Sequence, residues 1–208
     1  MTIESRLAEG LAAMGIALDA AAQEKLVAYL RLIEKWNKVH NLTAVREPER
    51  MVVLHLLDSL SVLPHVAGAR TLLDVGSGAG LPGIPLAIAR PDLAVTLLDA
   101  SHKKATFLRQ AKAELALDNV EVACERVEKW RPVAPFDVVV SRAFAELADF
   151  VEQAKHLVSP AGTMLAMKGV HPFEEIAKLP VSHRVENVVA LRVPTLDAQR
   201  HLVLLKAA

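Results

Sequence analysis

Three glycines at alternate positions, Gly76, Gly78 and Gly80, follow the apolar run 72–75 and precede a mostly apolar segment at 84–89. The order reads as strand, tight turn and helix start. Glycine at every second position lets backbone N–H groups approach a ligand where a Cβ would collide. The helix start behind them favours negative charge. The structural alternative is a turn that only needs positive φ. Asp74 sits inside the apolar run, where an unpartnered carboxylate is costly. It is expected to orient the loop amides or to accept from a ligand's ammonium group. Asp99 ends the next strand, 23 positions after Gly76. An acid placed so accepts hydrogen bonds from ribose hydroxyls; alternatively it caps the following helix, a job that Ser101 would leave it free of. Arg142 follows the fourth strand, at the carboxyl end where crevices lie in open sheets, unless it serves a structural ion pair.

The elements that must position these groups alternate from Thr71 onward. Strands are expected at 71–75, 95–99, 120–124, 136–141 and 163–167, with two more near 185–193 and 201–206. Helices fit 83–89, 102–116, 145–158 and 172–178. Short apolar strands separated by helices imply a doubly wound α/β fold with a mainly parallel sheet. The segment 194–200 is too short for a crossover helix, so the last two strands are expected to be antiparallel. Before residue 66 no strand signal occurs. Ile3, Leu7, Leu11 and Met14 stand at helical spacing, and Gly15 ends that segment. Asp19 is placed to cap a longer helix to about Val39, and Pro48 fits the first turn of another to about Leu63. The chain therefore reads as a helical extension over 1–65 packed on a ligand-binding domain over 66–208.

Composition sets the surroundings. The chain has 208 residues, 52% of them hydrophobic, which suffices for a full core. Cys124 is its one cysteine, so a disulfide framework and a CxxC metal site are both excluded, and no metal is expected. A single cysteine agrees with a reducing, cytoplasmic setting; no signal peptide and no membrane-length apolar run is read, and no membrane partner is expected. The formal net charge is zero, which argues against a free nucleic-acid binder resting on excess Lys and Arg.

The glycine spacing separates ligand classes. A dinucleotide fold would show G-x-G-x-x-G, and a triphosphate cradle would end in Lys-Ser/Thr, which is absent. G-x-G-x-G after an acid resembles motif I of S-adenosylmethionine-dependent methyltransferases. In that fold the loop after the third strand, here Arg126-Val127-Glu128, meets the adenine; otherwise it is a surface loop. Wider stretches carry a closer resemblance: Trp36-Asn-Lys-Val-His-Asn-Leu-Thr43, His55-Leu-Leu-Asp-Ser-Leu60, Asp74-Val-Gly-Ser-Gly-Ala-Gly-Leu-Pro-Gly-Ile-Pro85, Ser141-Arg-Ala-Phe144, Lys168-Gly169 and Pro194-Thr-Leu-Asp-Ala-Gln-Arg-His-Leu-Val203. They resemble the glucose-inhibited division protein B family, whose members are bacterial small-subunit ribosomal RNA guanine-N7 methyltransferases. The resemblance implies a class I methyltransferase fold. It implies S-adenosylmethionine as methyl donor, held at Gly76, Leu81, Val127, Glu128 and Arg142 beside Asp74, Gly78, Gly80 and Asp99. It further implies 16S ribosomal RNA in the small subunit as partner, and a monomer is expected.

Guanine N7 has an in-plane lone pair and no proton, so transfer to it needs no general base. The sequence agrees, offering no nucleophile–base constellation. Arg142 and Lys168 are the candidates to hold O6 or a phosphate. His55 and Asp58, three apart, read as a rim contact or as a tie between helix and core. Trp36, Asn37 and Asn41 read as a helix-end network or a stacking surface, and Lys103, Lys104, Arg109 and Lys112 as a solvated face or phosphate contacts. Two other functions stay open at this stage: a small-molecule methyltransferase and a non-catalytic ribosome-binding module.

Overall fold

The computed structural model describes residues 2–142, 144 and 146–208. Seven strands form one sheet in the order β3-β2-β1-β4-β5-β7-β6. They are β1 (Thr71–Val75), β2 (Ala94–Leu98), β3 (Val120–Ala123), β4 (Phe136–Ser141), β5 (Val158–Lys168), β6 (His183–Ala190) and β7 (His201–Ala207). Pairs among β1 to β5 are parallel, and β7 runs antiparallel to both β5 and β6. The expected doubly wound sheet with its reversed C-terminal strand is present. Two strand boundaries differ by three residues or more. β5 begins at Val158, five residues ahead of its expected start, and β6 ends at Ala190, where the chain turns into the loop before β7.

Helices α1 (Ile3–Ala13), α2 (Ala20–His40), α3 (Pro48–Met51) and α4 (Asp58–Leu60) precede the sheet; α5 (Gly83–Ala89), α6 (His102–Glu114), α7 (Leu147–Ala154) and α8 (Phe173–Ala177) lie between its strands. Asp19 caps α2, its Oδ1 accepting from Ala22 N–H at 2.7 Å. Gly15, at φ +66°, ends the turn after α1. The single helix expected over 48–63 is instead interrupted: a π-helical segment, Val52–Leu57, separates α3 from α4. Such wide turns recur at functional sites. The expected helix 145–158 is observed as α7 followed by a 3₁₀ turn, Lys155–Leu157; its first residue, Ala145, lies outside the described residues.

Alternate residues of each central strand feed two cores, as a sheet covered on both faces requires. From β1, Leu72 enters one core and Leu73 the other. The first core runs without a break from Leu72, Leu97 and Val140 into Tyr29, Ile33 and Leu56 of the preceding helices. The N-terminal helices thus share the core that carries the glycine turn. Among the described residues no helix is long and apolar enough to cross a membrane.

Candidate active site

Several groups hold the turn between β1 and α5. Gly76, Gly78 and Gly80 have φ of +68°, +59° and +89°. Gly78 N–H donates to Asp99 Oδ2 and Gly83 N–H to Asp74 Oδ2, both at 2.9 Å. The Tyr29 hydroxyl, arriving from α2, donates to Ala79 O. A Cβ at Gly83 would collide with Leu97 and approach Asp74 Oδ2 to 2.8 Å, so packing demands glycine there. A Cβ at Gly78 would meet only Gly76 O, at 3.8 Å. Glycine at 78 therefore answers to its positive φ and to the open space in front of it.

Beside the turn lies a crevice of about 300 Å³, lined among others by Gly76, Asp99, Val127, Glu128 and Phe144. Four of the residues expected at the donor site, Gly76, Asp99, Val127 and Glu128, are thus brought together beyond the carboxyl ends of β1, β2 and β3. Gly78, Gly80, Leu81 and Arg142, also expected there, are not among its lining: Leu81 is buried in the first core, and Arg142 lines a second pocket. Asp74 is fully buried beneath the turn, where it performs the first of its two expected roles, orienting a loop amide. Ser101 does cap α6, accepting from Lys104 N–H at 3.4 Å, but Asp99 is not thereby free. Its Oδ1 accepts from Ser101 N–H at 2.9 Å, while Oδ2 holds Gly78. The expectation of an unengaged Asp99 gives way because the strand end aims the carboxylate at the amides of both turns, which leaves each oxygen one further lone pair for a ligand.

Tyr29 escapes a reading of local sequence because it lies 50 residues from Ala79. Its only signal is an inward-facing polar tip on an apolar helix stripe. Burial pushes its phenol well above the ordinary range, so it stays a donor. Tyr29→Phe leaves Ala79 O without its partner, a loss worth about 1–3 kcal/mol when the acceptor stays buried. The expected result is a lower thermal midpoint together with weaker donor binding by calorimetry.

A second pocket, of about 390 Å³, adjoins the ends of β4, β5 and β7 and is lined by His55, Asp58, Arg142, Lys168, Gly169, Arg200 and His201 among others. It gathers both residues expected to hold the acceptor. Arg142 Nη1 donates to Leu54 O at 3.2 Å, inside the π-helical segment, and pairs with Asp58 Oδ2 at 3.5 Å. Arg200 Nε donates to Asp58 Oδ1 at 3.0 Å. Burial pushes the Asp58 carboxyl above its ordinary range, and the two guanidiniums pull it back. Asp58 thus ties the helix to the core, one of its two expected roles, and in doing so aims two arginines. Arg200 is not among the expected site residues; its signal is its place in the C-terminal stretch 194–203. Lys168 Nζ is engaged with Glu175 Oε2 at 2.6 Å and Phe144 O at 3.3 Å. A ligand there would compete with Glu175 for that ammonium.

Several of the remaining candidates have structural partners. Asn37 accepts from Thr43 N–H at 3.0 Å and donates to Val45 O at 3.3 Å, and Trp36 packs edge-on against Phe107. Lys104 pairs with Asp99 at 3.7 Å, and Lys112 with Glu121 at 3.2 Å. A larger cavity, of about 730 Å³, opens between the end of α1 and the segment after β6, and it contains none of the expected site residues.

Two buried groups impose opposite pH dependences. Burial raises Asp74 from 3.8 to about 7, so its contribution to stability is full below the ordinary carboxylate range and is lost as pH rises through about 7. Burial lowers His55 from 6.5 to about 4, so its contribution is present above 6.5 and is lost as pH falls through about 4. Asp74→Asn keeps an acceptor for Gly83 N–H and removes the first slope. The thermal midpoint of the variant relative to the unaltered protein should rise as pH goes from about 4 to 7.

A model of the GidB family, described as rRNA small subunit methyltransferase G, matches residues 22–203. A protein named ribosomal RNA small subunit methyltransferase G from Methylobacillus flagellatus is 59% identical, over 99% of this chain and 98% of its own. The proteins of the same name from Neisseria meningitidis serogroup B and Nitrosospira multiformis are 56% and 54% identical, with at least 98% of both chains covered. Among solved structures, an O-methyltransferase from Bacillus cereus with S-adenosylhomocysteine superposes with a TM-score of 0.59 at 21% identity, covering 100% of both chains. The O-methyltransferase TomG from Streptomyces achromogenes with S-adenosylmethionine gives 0.60 at 16%, again over 100% of both. At those identities the likeness is one of fold, the class I methyltransferase fold.

Proposed function

This chain belongs to the rRNA small subunit methyltransferase G family, and from that membership we propose that it transfers a methyl group from S-adenosylmethionine to N7 of a guanine in small-subunit (16S) ribosomal RNA. The observation that carries the reading is a pair of pockets at the same end of the sheet, one beside the glycine turn and one lined by arginines, linked by the 3.3 Å bond from Lys168 Nζ to Phe144 O.

The donor crevice suits the donor chemically. Next to the crevice, the Cβ-free position and open space at Gly78 admit a close approach to backbone amides of the turn. Val75, Leu98 and Val127 offer apolar walls for a nucleoside. Asp99 and Glu128 bring negative charge to a crevice whose ligand is cationic at sulfur. Gly76, Gly78, Asp99, Val127 and Glu128 are therefore the residues that would hold it, with Asp74, Gly80 and Leu81 shaping the turn from beneath. S-adenosylmethionine supplies a methyl group already activated on a sulfonium.

What remains for the protein is alignment. N7 carries no proton, so no side chain needs to act as base. Arg142 and Arg200, aimed by Asp58, present N–H donors to the second pocket, where O6 of guanine or a neighbouring phosphate accepts. A guanidinium bound to both O6 and N7 would block the acceptor, so the productive contact leaves N7 open. Correct orientation of two reactants supplies up to about 7–11 kcal/mol of a barrier. The passage of β4 between the two pockets suits such alignment, because Ser141 Oγ donates to Val75 O at 2.8 Å, next to Gly76 and one residue before Arg142.

Small subunits from cells lacking this protein test the reading. With labelled donor they should accept one methyl group, recovered as 7-methylguanine. No incorporation, or a different modified nucleoside, would overturn it.

A further inference from the structure

The chain leaving β5 carries an exposed aromatic group that the donor and acceptor pockets do not use. Phe173 is 72% exposed and its neighbour Val170 is 71% exposed. An aromatic ring with one face left to water is worth explaining where it lies close to a ligand site. This one does. The His171 ring stacks on one side of Phe173, with centroids 3.8 Å apart and planes at 27°. His171 also meets His201 edge-on, at 5.5 Å and 75°. His201 Nδ1 and Gly169 O lie 2.9 Å apart, and both residues line the arginine pocket. A ladder of rings therefore leads from the acceptor pocket out to Phe173. His171 Nδ1 is buried and has no partner among the described residues.

Resting on the function proposed above, we propose that Phe173, backed by His171, is a stacking platform for an unpaired RNA nucleotide next to the methylated guanine. Two observations, and one consequence of the proposed function, favour a nucleotide over an apolar protein segment. The ring is already one member of a stack, so a planar base extends it. The pocket it borders carries Arg142, Arg200 and Lys168 against Asp58, with Glu175 outside the lining pairing Lys168, so cations still outnumber acids where a phosphate backbone would lie. The pocket accepts a base that has left its own stack, and such a base leaves its neighbour unstacked as well.

Three substitutions at one exposed position test this: Phe173→Ala, Phe173→Leu and Phe173→Trp, assayed on small subunits lacking the methyl group at saturating donor. Base–aromatic stacking is worth about 1–3 kcal/mol, so Ala and Leu should raise KM for the subunit roughly five- to 150-fold. Trp should stay within about threefold of the unaltered protein, because its ring stacks equally well. Donor affinity by calorimetry and the thermal midpoint should not move in any of the three, since Phe173 contacts neither the turn nor the core. Equal activity of Leu and Trp would overturn the proposal in favour of an apolar contact with a ribosomal protein. An unchanged KM for Ala would show that nothing docks on the ring. An unaltered protein that transfers no methyl to the subunit would overturn the function itself, a result visible before any variant is compared.

Discussion

Gly78→Val should abolish measurable donor binding while leaving the protein folded. Residue 78 sits at φ +59°, where a β-branched side chain is a true outlier. Strain of this kind costs about 1–3 kcal/mol. The thermal midpoint of a chain this long moves by roughly 2–4 °C per kcal/mol. The variant should therefore unfold somewhat earlier and remain folded at room temperature. Donor binding suffers more, for two reasons. The turn must leave its left-handed geometry, which breaks the 2.9 Å bond from Gly78 N–H to Asp99. The added methyls also fill the space that the glycine leaves open. Gly78→Asn separates the causes, because Asn tolerates the same φ yet still adds volume. If volume matters, Asn should fail nearly as badly as Val. Calorimetry with S-adenosylmethionine is the measurement, and an affinity within twofold of the unaltered protein for Gly78→Val would sink the donor-site assignment.

Asp58→Ala should lower kcat/KM for the ribosomal substrate on the order of a hundredfold, the scale of a roughly 1 Å misplacement of reacting groups. Asp58 binds Arg142 and Arg200 with separate oxygens. Without it both guanidiniums lose their aim. The stability cost should be smaller than the roughly 3–5 kcal/mol seen when a fully buried pair is broken. Arg142 and Arg200 keep side-chain exposures of 32% and 23% and can turn to water, so about 2 kcal/mol is expected. Donor affinity should hardly change, since the donor crevice does not include Asp58. Asp58→Asn, which keeps the volume and one acceptor, should fall between the two. A kcat/KM within threefold of normal for Asp58→Ala would remove the arginines from the acceptor site.

Much of the scaffold is legible in local chemistry. The caps at Asp19 and Ser101 follow from side-chain oxygens three residues ahead of an amide. The reversal of β7 follows from a connection too short to cross the sheet. The glycine turn, with Gly76 and Asp99 at a common crevice, follows from strand–turn–helix spacing. What local chemistry misses is which atoms of a functional side chain are free. Asp99 reads as available and is bonded through both oxygens. Lys168 reads as facing a ligand and is paired with Glu175. The helix expected to run unbroken over 48–63 opens into a wide turn that takes the Arg142 guanidinium.

The division has a physical origin. Backbone preference, capping and hydrophobic period act over a few residues, so the order of residues alone determined the elements, the sheet's direction changes and the glycine turn's suitability for a close ligand. Hydrogen-bond partners of buried side chains are chosen across the fold. Tyr29 reaches Ala79 over 50 residues, and Asp58 reaches Arg200 over 142. Only the tertiary structure decided that the N-terminal helices brace the donor turn and that one buried carboxylate aims two arginines, because burial leaves each polar atom no water and obliges it to take whatever partner the packing brings.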